Sequence, residues 1–147
     1  MTELSPRGVP SQWGNDNSDK YAEHTLLGFK FSTWNEEVML AALSAPAPRG
    51  EGLQLLVTAN VDHIVRLTQD AEFREAYRSS WKAVVDGMPV LIYARLRGAP
   101  IPGRLTGSDL FPKLLNKLSP DRHRLLFVCA DEETAIKLNE RVRELGF

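Results

Sequence analysis

Polar residues that could do chemistry follow short apolar runs in the middle of the chain. The candidates are Thr58, Asn60, Asp86, Gly87, Arg104 and Asp109. The first two follow the apolar run at residues 55–57, and the next two follow the run at residues 83–85. If both runs are parallel strands, these four residues lie at strand carboxyl ends, where open α/β sheets bind ligands.

Asp86 is the candidate for acid–base chemistry. A carboxylate that leaves a buried strand can take a proton from a substrate hydroxyl, and such catalysis is worth roughly 10²–10⁴-fold. The alternative is a plain strand-to-helix turn, for which Asp86-Gly87 is a suitable sequence. The residues alone leave both interpretations open.

Thr58 and Asn60 bring a hydroxyl and an amide to the end of the preceding run. These groups could hold a sugar or a nucleotide through hydrogen bonds. They are also favoured helix N-caps, and a helical pattern begins directly after Asn60. Both roles remain open at this point.

Arg104 could hold a diphosphate through two parallel hydrogen bonds, or it could be an ordinary surface arginine. The following Gly107-Ser108-Asp109 has the pattern of a helix start, with Ser108 or Asp109 as the expected cap. A helix N-terminus can receive an anion, although Asp109 would oppose one.

The sequence contains none of the common motifs for binding a metal or a phosphate group. The sequence has no Asp-X-Asp triplet, no Walker A loop and no GxGxxG, and its histidines lack the spacing of a zinc site. Asp62-His63 resembles part of an acid–base pair, but a helix start explains it as well. We expect neither a metal nor a cofactor.

Strand-like and helix-like patterns alternate along the chain, which predicts an α/β fold with a parallel-type sheet flanked by helices. The predicted strands are residues 24–34 (one strand or a pair), 54–57, 81–85 and 123–129. The predicted helices are residues 36–43, 61–67, 70–80, a buried one at 88–96, one ending near residue 118, and 131–145. The last strand and helix predict a Rossmann-like second half that has only begun.

Residues 1–23 carry proline, glycine and asparagine without periodicity, and we expect a flexible leader there. The α/β domain then spans residues 24–147 and is expected to be incomplete at its C-terminus. The net charge of −1 gives no reason to expect a nucleic-acid partner. A single cysteine, Cys129, fits a reducing compartment. No apolar stretch is long enough to span a membrane as a helix.

The polar clusters are more specific together than singly. They read T-x-N from Thr58, D-x-x-F-R-x-A from Asp70, V-x-D-G-M-P-V from Val84 and R-L-x-G-x-D-L from Arg104. In this order and spacing they resemble the WecG/TagA/CpsF family of bacterial glycosyltransferases. Residues 28–43 also resemble the opening strand and helix of that family.

The resemblance implies an inverting, metal-independent transfer of a sugar from a UDP-sugar to an undecaprenyl-diphosphate-linked glycan. The products would be exopolysaccharide, teichoic acid or common antigen, made in the cytoplasm at the inner face of the membrane. The catalytic aspartate of the family falls on Asp86. The remaining roles are Thr58 as a second catalytic residue and Asn60, Arg104, Gly87 and Asp109 as substrate-binding residues.

The sequence departs from the family at two places. The turn after residues 123–129 is Ala130-Asp131-Glu132-Glu133, where the family has a glycine-rich turn. Family members also continue further, completing the Rossmann-like half and adding a membrane-associating C-terminal segment. The alternative function is therefore a truncated, non-catalytic remnant or a nucleotide- or sugar-binding module. A generic Rossmann-like protein is a third interpretation, but it does not explain the clusters together.

Overall fold

A computed structural model of the chain describes residues 23–46 and 53–147. The predicted leader lies outside the described residues except for Glu23, which begins a strand and so does not belong to the leader.

Short strands and helices alternate through the described part of the chain, and the predicted α/β class is confirmed. The strands are β1 (Glu23–Leu26), β2 (Phe29–Ser32), β3 (Leu56–Ala59) and β4 (Lys82–Val85). The helices are α1 (Glu36–Ser44), α2 (Val61–Gln69), α3 (Ala71–Arg78), α4 (Met88–Leu96), α5 (Gly107–Leu115) and α6 (Glu132–Glu144).

The predicted first strand region is a hairpin. β1 and β2 pair antiparallel, with Leu26 opposite Phe29. The two residues between them, Leu27 and Gly28, both have positive φ, at 55° and 80°. A two-residue loop with two positive φ angles matches the right-handed twist of the strands it joins. Gly28 adopts this conformation without strain, whereas Leu27 does not.

β3 and β4 form a parallel pair, with Thr58 opposite Val84 and Ala59 opposite Val85. α2 and α3 lie between them in the sequence and make the crossover that parallel strands require. Because the strands run in register, their carboxyl ends lie side by side. This arrangement sets the position of the predicted site.

β4 is buried on both faces. Successive strand residues point to opposite sides, so Ala83 and Val85 face one cluster of apolar residues and Val84 faces another. The first cluster includes the hairpin, α2, α3 and α4, and the second includes α1 and α5. Helices therefore cover both sides of the parallel pair, which is the usual state of parallel sheets.

The predicted strand at residues 123–129 is wrong. This segment is extended but pairs with no strand in the described part of the chain. The exposed fraction alternates along it, and Leu126 and Val128 are 91% and 96% exposed. A run of apolar residues has the preference for a strand, but a strand forms only where a partner supplies the hydrogen bonds of a ladder.

α4 begins at Met88 with Pro89 in its first turn, as the sequence indicates. The expectation of a fully buried helix is wrong, because only one face is covered. Val90, Leu91 and Ala94 are buried, whereas the other residues of the helix are exposed and, apart from Arg95, apolar. Apolar composition alone could not distinguish these two states.

Candidate active site at the strand ends

Asp86 leaves β4 directly beside the end of β3. Its backbone N–H donates to the carbonyl oxygen of Ala59 at 2.9 Å, and the N–H of Gly87 reaches the same oxygen at 3.4 Å. A methyl group built on Gly87 would lie 3.6 Å from the Cα of Asn60. The structure therefore brings Asn60, Asp86 and Gly87 together, as their positions after two strands predict.

Asn60 is the N-cap of α2. Its side-chain oxygen accepts the backbone N–H of His63 at 2.9 Å, and its carbonyl oxygen accepts the N–H of Ile64 at 3.1 Å. The capping interpretation is confirmed, and it leaves room for the functional one. The side chain is exposed, and its NH₂ group makes no hydrogen bond within the described residues.

Thr58 lies half-buried on β3, against the start of α5. A methyl group built on Gly107 would lie 3.9 Å from the Thr58 hydroxyl oxygen. The segment before α5 is fixed to the end of β4 because the N–H of Leu105 donates to the carbonyl of Val85 at 2.8 Å. The third polar cluster therefore joins the first two at the same edge of the sheet.

The cap of α5 is Thr106, so the predicted cap at Ser108 or Asp109 is wrong. The Thr106 hydroxyl oxygen accepts the N–H of Asp109 at 3.0 Å and lies 2.9 Å from the Ser108 hydroxyl. Thr106 is only 6% exposed and is a buried polar residue at the site that is not among the predicted site residues. The spacing T-x-x-D is close to a capping box and would have identified it.

Arg104 and Asp109 contact each other. The guanidinium Nη2 lies 4.0 Å from the carboxylate Oδ2, and the side chains are 45% and 55% exposed. Such an exposed pair contributes little, about 0–1 kcal/mol, because water screens it. Arg104 therefore stands at the solvent side of the cluster with a weakly held counter-ion.

Aromatic side chains support the first turn of α2. His63 Nδ1 lies 2.7 Å from the hydroxyl of Tyr77, and its ring meets Phe73 edge-on at 5.3 Å. Burial raises the pKa of Tyr77 to about 12. His63 is thus engaged with α3, which agrees with an ordinary helix-start role for Asp62-His63.

Metal-binding geometry is not found in residues 23–46 and 53–147, where no group of three or more His, Cys, Asp or Glu side chains is placed to hold an ion. Within the same residues no helix is long and apolar enough to cross a membrane.

Comparison with known proteins bears on the same residues. The sequence profile described as "Glycosyl transferase WecG/TagA/CpsF family" matches residues 24–145. The chain belongs to this family. The matched range contains nearly all of the elements of the WecG/TagA/CpsF chain described above, including both strands that lead to Asn60 and Asp86.

A curated relative of this WecG/TagA/CpsF chain is the N-acetylglucosaminyldiphosphoundecaprenol N-acetyl-beta-D-mannosaminyltransferase of Bacillus spizizenii. The two are 30% identical over 88 residues, which is 60% of this chain and 34% of the relative. The match thus spans about a third of the length of the relative. No solved structure is significantly similar.

Proposed function

We propose that this chain is an inverting glycosyltransferase that moves a sugar from a UDP-sugar to an undecaprenyl-diphosphate-linked glycan. The observation that carries the proposal is the placement of Asp86 at the end of β4, next to Asn60 and Thr58 at the end of β3. Family membership supports the reaction class, and the name of the relative supports an acceptor with a diphosphoundecaprenol group.

In the proposed reaction Asp86 is the general base. Its carboxylate takes the proton of the acceptor hydroxyl while that oxygen attacks C1 of the donor sugar from the face opposite the nucleotide. The new C1–O bond forms as the bond from C1 to the diphosphate breaks, and UDP leaves with the electron pair. The configuration at C1 is inverted because attack and departure occur on opposite faces.

The neighbouring polar groups have binding roles in this scheme. The side-chain oxygen of Asn60 already accepts the His63 N–H at the start of α2. The NH₂ group of the same amide is therefore the part that can donate to a sugar or phosphate oxygen. The Thr58 hydroxyl can orient the hydroxyl that reacts. Gly87 keeps the approach between Asn60 and α4 open, because it adds no side chain there.

Arg104 is the candidate for the leaving diphosphate. A diphosphate carries more charge than the Asp109 carboxylate and can accept two parallel hydrogen bonds from a guanidinium. The exposed contact with Asp109 is weak enough to be exchanged for it. We also propose that the reaction takes place at the cytoplasmic face of the membrane that holds the lipid acceptor.

Transfer assays on Asp86→Asn test the role of the base. The wild type is supplied with candidate UDP-sugars and a short-chain lipid-diphosphate-linked N-acetylglucosamine, and release of UDP is followed. We expect Asp86→Asn to keep its fold and lose roughly 10²-fold or more in turnover. Asp121→Asn, the same change at an exposed turn residue, serves as the control. Equal turnover in Asp86→Asn and wild type would disprove the assignment.

A sugar-nucleotide-binding module is the second candidate, because the exposed NH₂ group of Asn60 could hold a ligand whether or not Asp86 acts as a base. Titration of wild type and Asp86→Asn with UDP-sugars separates the two functions. Binding by both proteins without UDP release from either would indicate the module. Release that depends on Asp86 would indicate the enzyme.

A further inference from the structure

An apolar groove opens beside the candidate active site. It has a volume of about 300 Å³ and lies between the hairpin tip, α2 and α4. Its lining residues are Leu27, Val61, Ile64, Pro89, Val90 and Tyr93. None of these six carries a charge, and the Tyr93 hydroxyl is their only polar side-chain group.

Residues that line the groove follow the candidate site residues closely in the chain. Val61 directly follows Asn60, and Pro89 follows Gly87 by two residues. The same Gly87 position touches both Asn60 and Pro89, at 3.6 Å and 3.8 Å from a Cβ built there. A molecule held by Asn60 and Asp86 could therefore extend into the groove without leaving the protein surface.

The exposed face of α4 continues the groove. Ile92, Tyr93 and Leu96 are 52%, 39% and 80% exposed. Leu96 lies seven residues beyond Pro89, which is roughly 10 Å along a helix axis. The apolar surface thus runs from the strand ends towards the far end of α4, where the exposed Arg95 is the one charged residue of the helix.

Leu27 lines the groove from a backbone conformation that is unusual for leucine. Its φ is 55°. Turns with this conformation favour asparagine or glycine, and leucine is uncommon in them. The side chain is 46% exposed, so it gains only part of the stability that burial would give. What this large apolar residue does provide, despite its strained and half-exposed position, is one wall of the groove.

We propose that this groove seats the first isoprene units of the polyprenyl-diphosphate acceptor. The inference rests on the proposed function, because it takes the sugar-diphosphate end of the acceptor to lie at Asp86. An undecaprenol group, which the name of the relative includes, is an apolar chain joined to the sugar through a diphosphate. Its tail must therefore leave the site on a surface that is apolar and continuous with it, and the groove has both properties.

Titration calorimetry with farnesyl diphosphate and inorganic diphosphate tests the groove with soluble probes. We expect the wild type to bind farnesyl diphosphate at least about tenfold more tightly, because burial of two methylene groups already gives that factor. Leu27→Asn should remove most of this preference while keeping or raising the thermal stability, since asparagine suits the turn. Tyr93→Asp should also remove it, because a charge would line the groove.

Leu126→Asn and Ile136→Asp are the matched controls. Leu126 and Ile136 are 91% and 52% exposed and lie outside the groove. Both variants should keep the preference for the farnesyl group. Equal binding of the two probes by the wild type, or an unchanged preference in Leu27→Asn and Tyr93→Asp, would overturn the proposal.

Other occupants give different results. Binding to phosphatidylcholine vesicles that Leu27→Asn and Tyr93→Asp abolish, without a farnesyl preference, would make the groove a membrane-docking surface and overturn the proposal. Self-association that both variants abolish, again without that preference, would overturn it in favour of a second copy.

The groove and the transfer reaction can fail separately. If the chain prefers farnesyl diphosphate through Leu27 and Tyr93 but releases no UDP, the proposed groove ligand stands and the proposed transferase activity is disproved. If the chain transfers the sugar but its KM is the same for acceptors with short and long prenyl tails, the transferase activity stands and the proposed groove ligand is disproved.

Discussion

The side-chain oxygen of Asn60 accepts the backbone N–H of His63 at 2.9 Å. This bond satisfies one of the unpaired N–H groups at the start of α2 and fixes the orientation of the amide. The NH₂ group is then the part of the side chain that remains for a ligand. One residue can therefore serve both as a helix cap and as a hydrogen-bond donor in the site.

Asn60→Asp separates these two roles. Aspartate is as good a cap as asparagine, so the free energy of unfolding should stay within about 0.5 kcal/mol of the wild type. Binding of a UDP-sugar should weaken about tenfold or more, because a donor is replaced by a negative charge. Denaturant unfolding and ligand titration measure the two effects.

Asn35→Asp is the matched control. Asn35 caps α1 through the same contact, with its side-chain oxygen 2.9 Å from the N–H of Val38. Asn35 caps a different helix and is not one of the candidate site residues, so the variant should keep both stability and ligand binding. If Asn60→Asp binds the UDP-sugar as well as Asn35→Asp does, the amide is a cap and nothing more.

Thr106→Ala should lower the free energy of unfolding by about 1 kcal/mol, the usual cost of a lost helix cap. The change leaves the N–H of Asp109 without its side-chain acceptor at the start of α5. Thr106→Ser retains the hydroxyl and should restore most of the stability. Urea unfolding of the three proteins measures this, and equal midpoints for the alanine and serine variants would contradict the capping role.

The local features of the chain could be predicted from the sequence because they depend on near neighbours. Asn60 and Asp70 stand where caps belong, and the helices begin directly after them. The meeting of Thr58, Asn60 and Asp86 also followed, since parallel strands bring their carboxyl ends to one edge. The parallel pairing of β3 and β4 was therefore enough to predict where these polar residues lie in the fold.

Features that depend on distant partners could not be predicted. The contact between Arg104 and Asp109 at 4.0 Å could not be predicted either, although the two are only five residues apart, because it depends on the path that the backbone takes before α5. The apolar segment at residues 123–129 has the same composition as a buried strand. Whether it becomes one depends on a neighbouring strand, about which its own residues say nothing.

Leu126→Ala tests the exposed state of that segment. Leu126 is 91% exposed. Its truncation should therefore change the free energy of unfolding by less than about 0.5 kcal/mol, as is usual at the surface. Leu110 is only 3% exposed. Leu110→Ala should cost about 2–5 kcal/mol, because it leaves a cavity in the core. Comparable losses in the two variants would show that Leu126 is buried in solution.

Tyr77 gives the fold a specific weakness to alkaline conditions. Its side chain is 5% exposed, and burial raises its pKa from 10.0 to about 12. The unfolded chain therefore releases this proton at lower pH than the folded chain does. The contribution of the neutral Tyr77 side chain to the free energy of unfolding is complete below pH 10 and is lost as the pH rises from 10 towards 12.

Tyr77→Phe should remove about 1.4 kcal/mol of the alkaline loss between pH 8 and pH 11, since each pH unit between the unfolded and the folded pKa costs roughly that much. The variant should also be about 1 kcal/mol less stable at neutral pH, because a partly buried hydrogen bond is lost. That bond is the 2.7 Å contact with His63 Nδ1.

Urea unfolding of Tyr77→Phe at pH 8 and at pH 11 measures both effects. Tyr93→Phe, at a tyrosine that is 39% exposed, should keep the full alkaline loss and serves as the control. If Tyr77→Phe lost as much stability between the two pH values as the wild type, burial of the Tyr77 hydroxyl could not be the cause of the alkaline weakness.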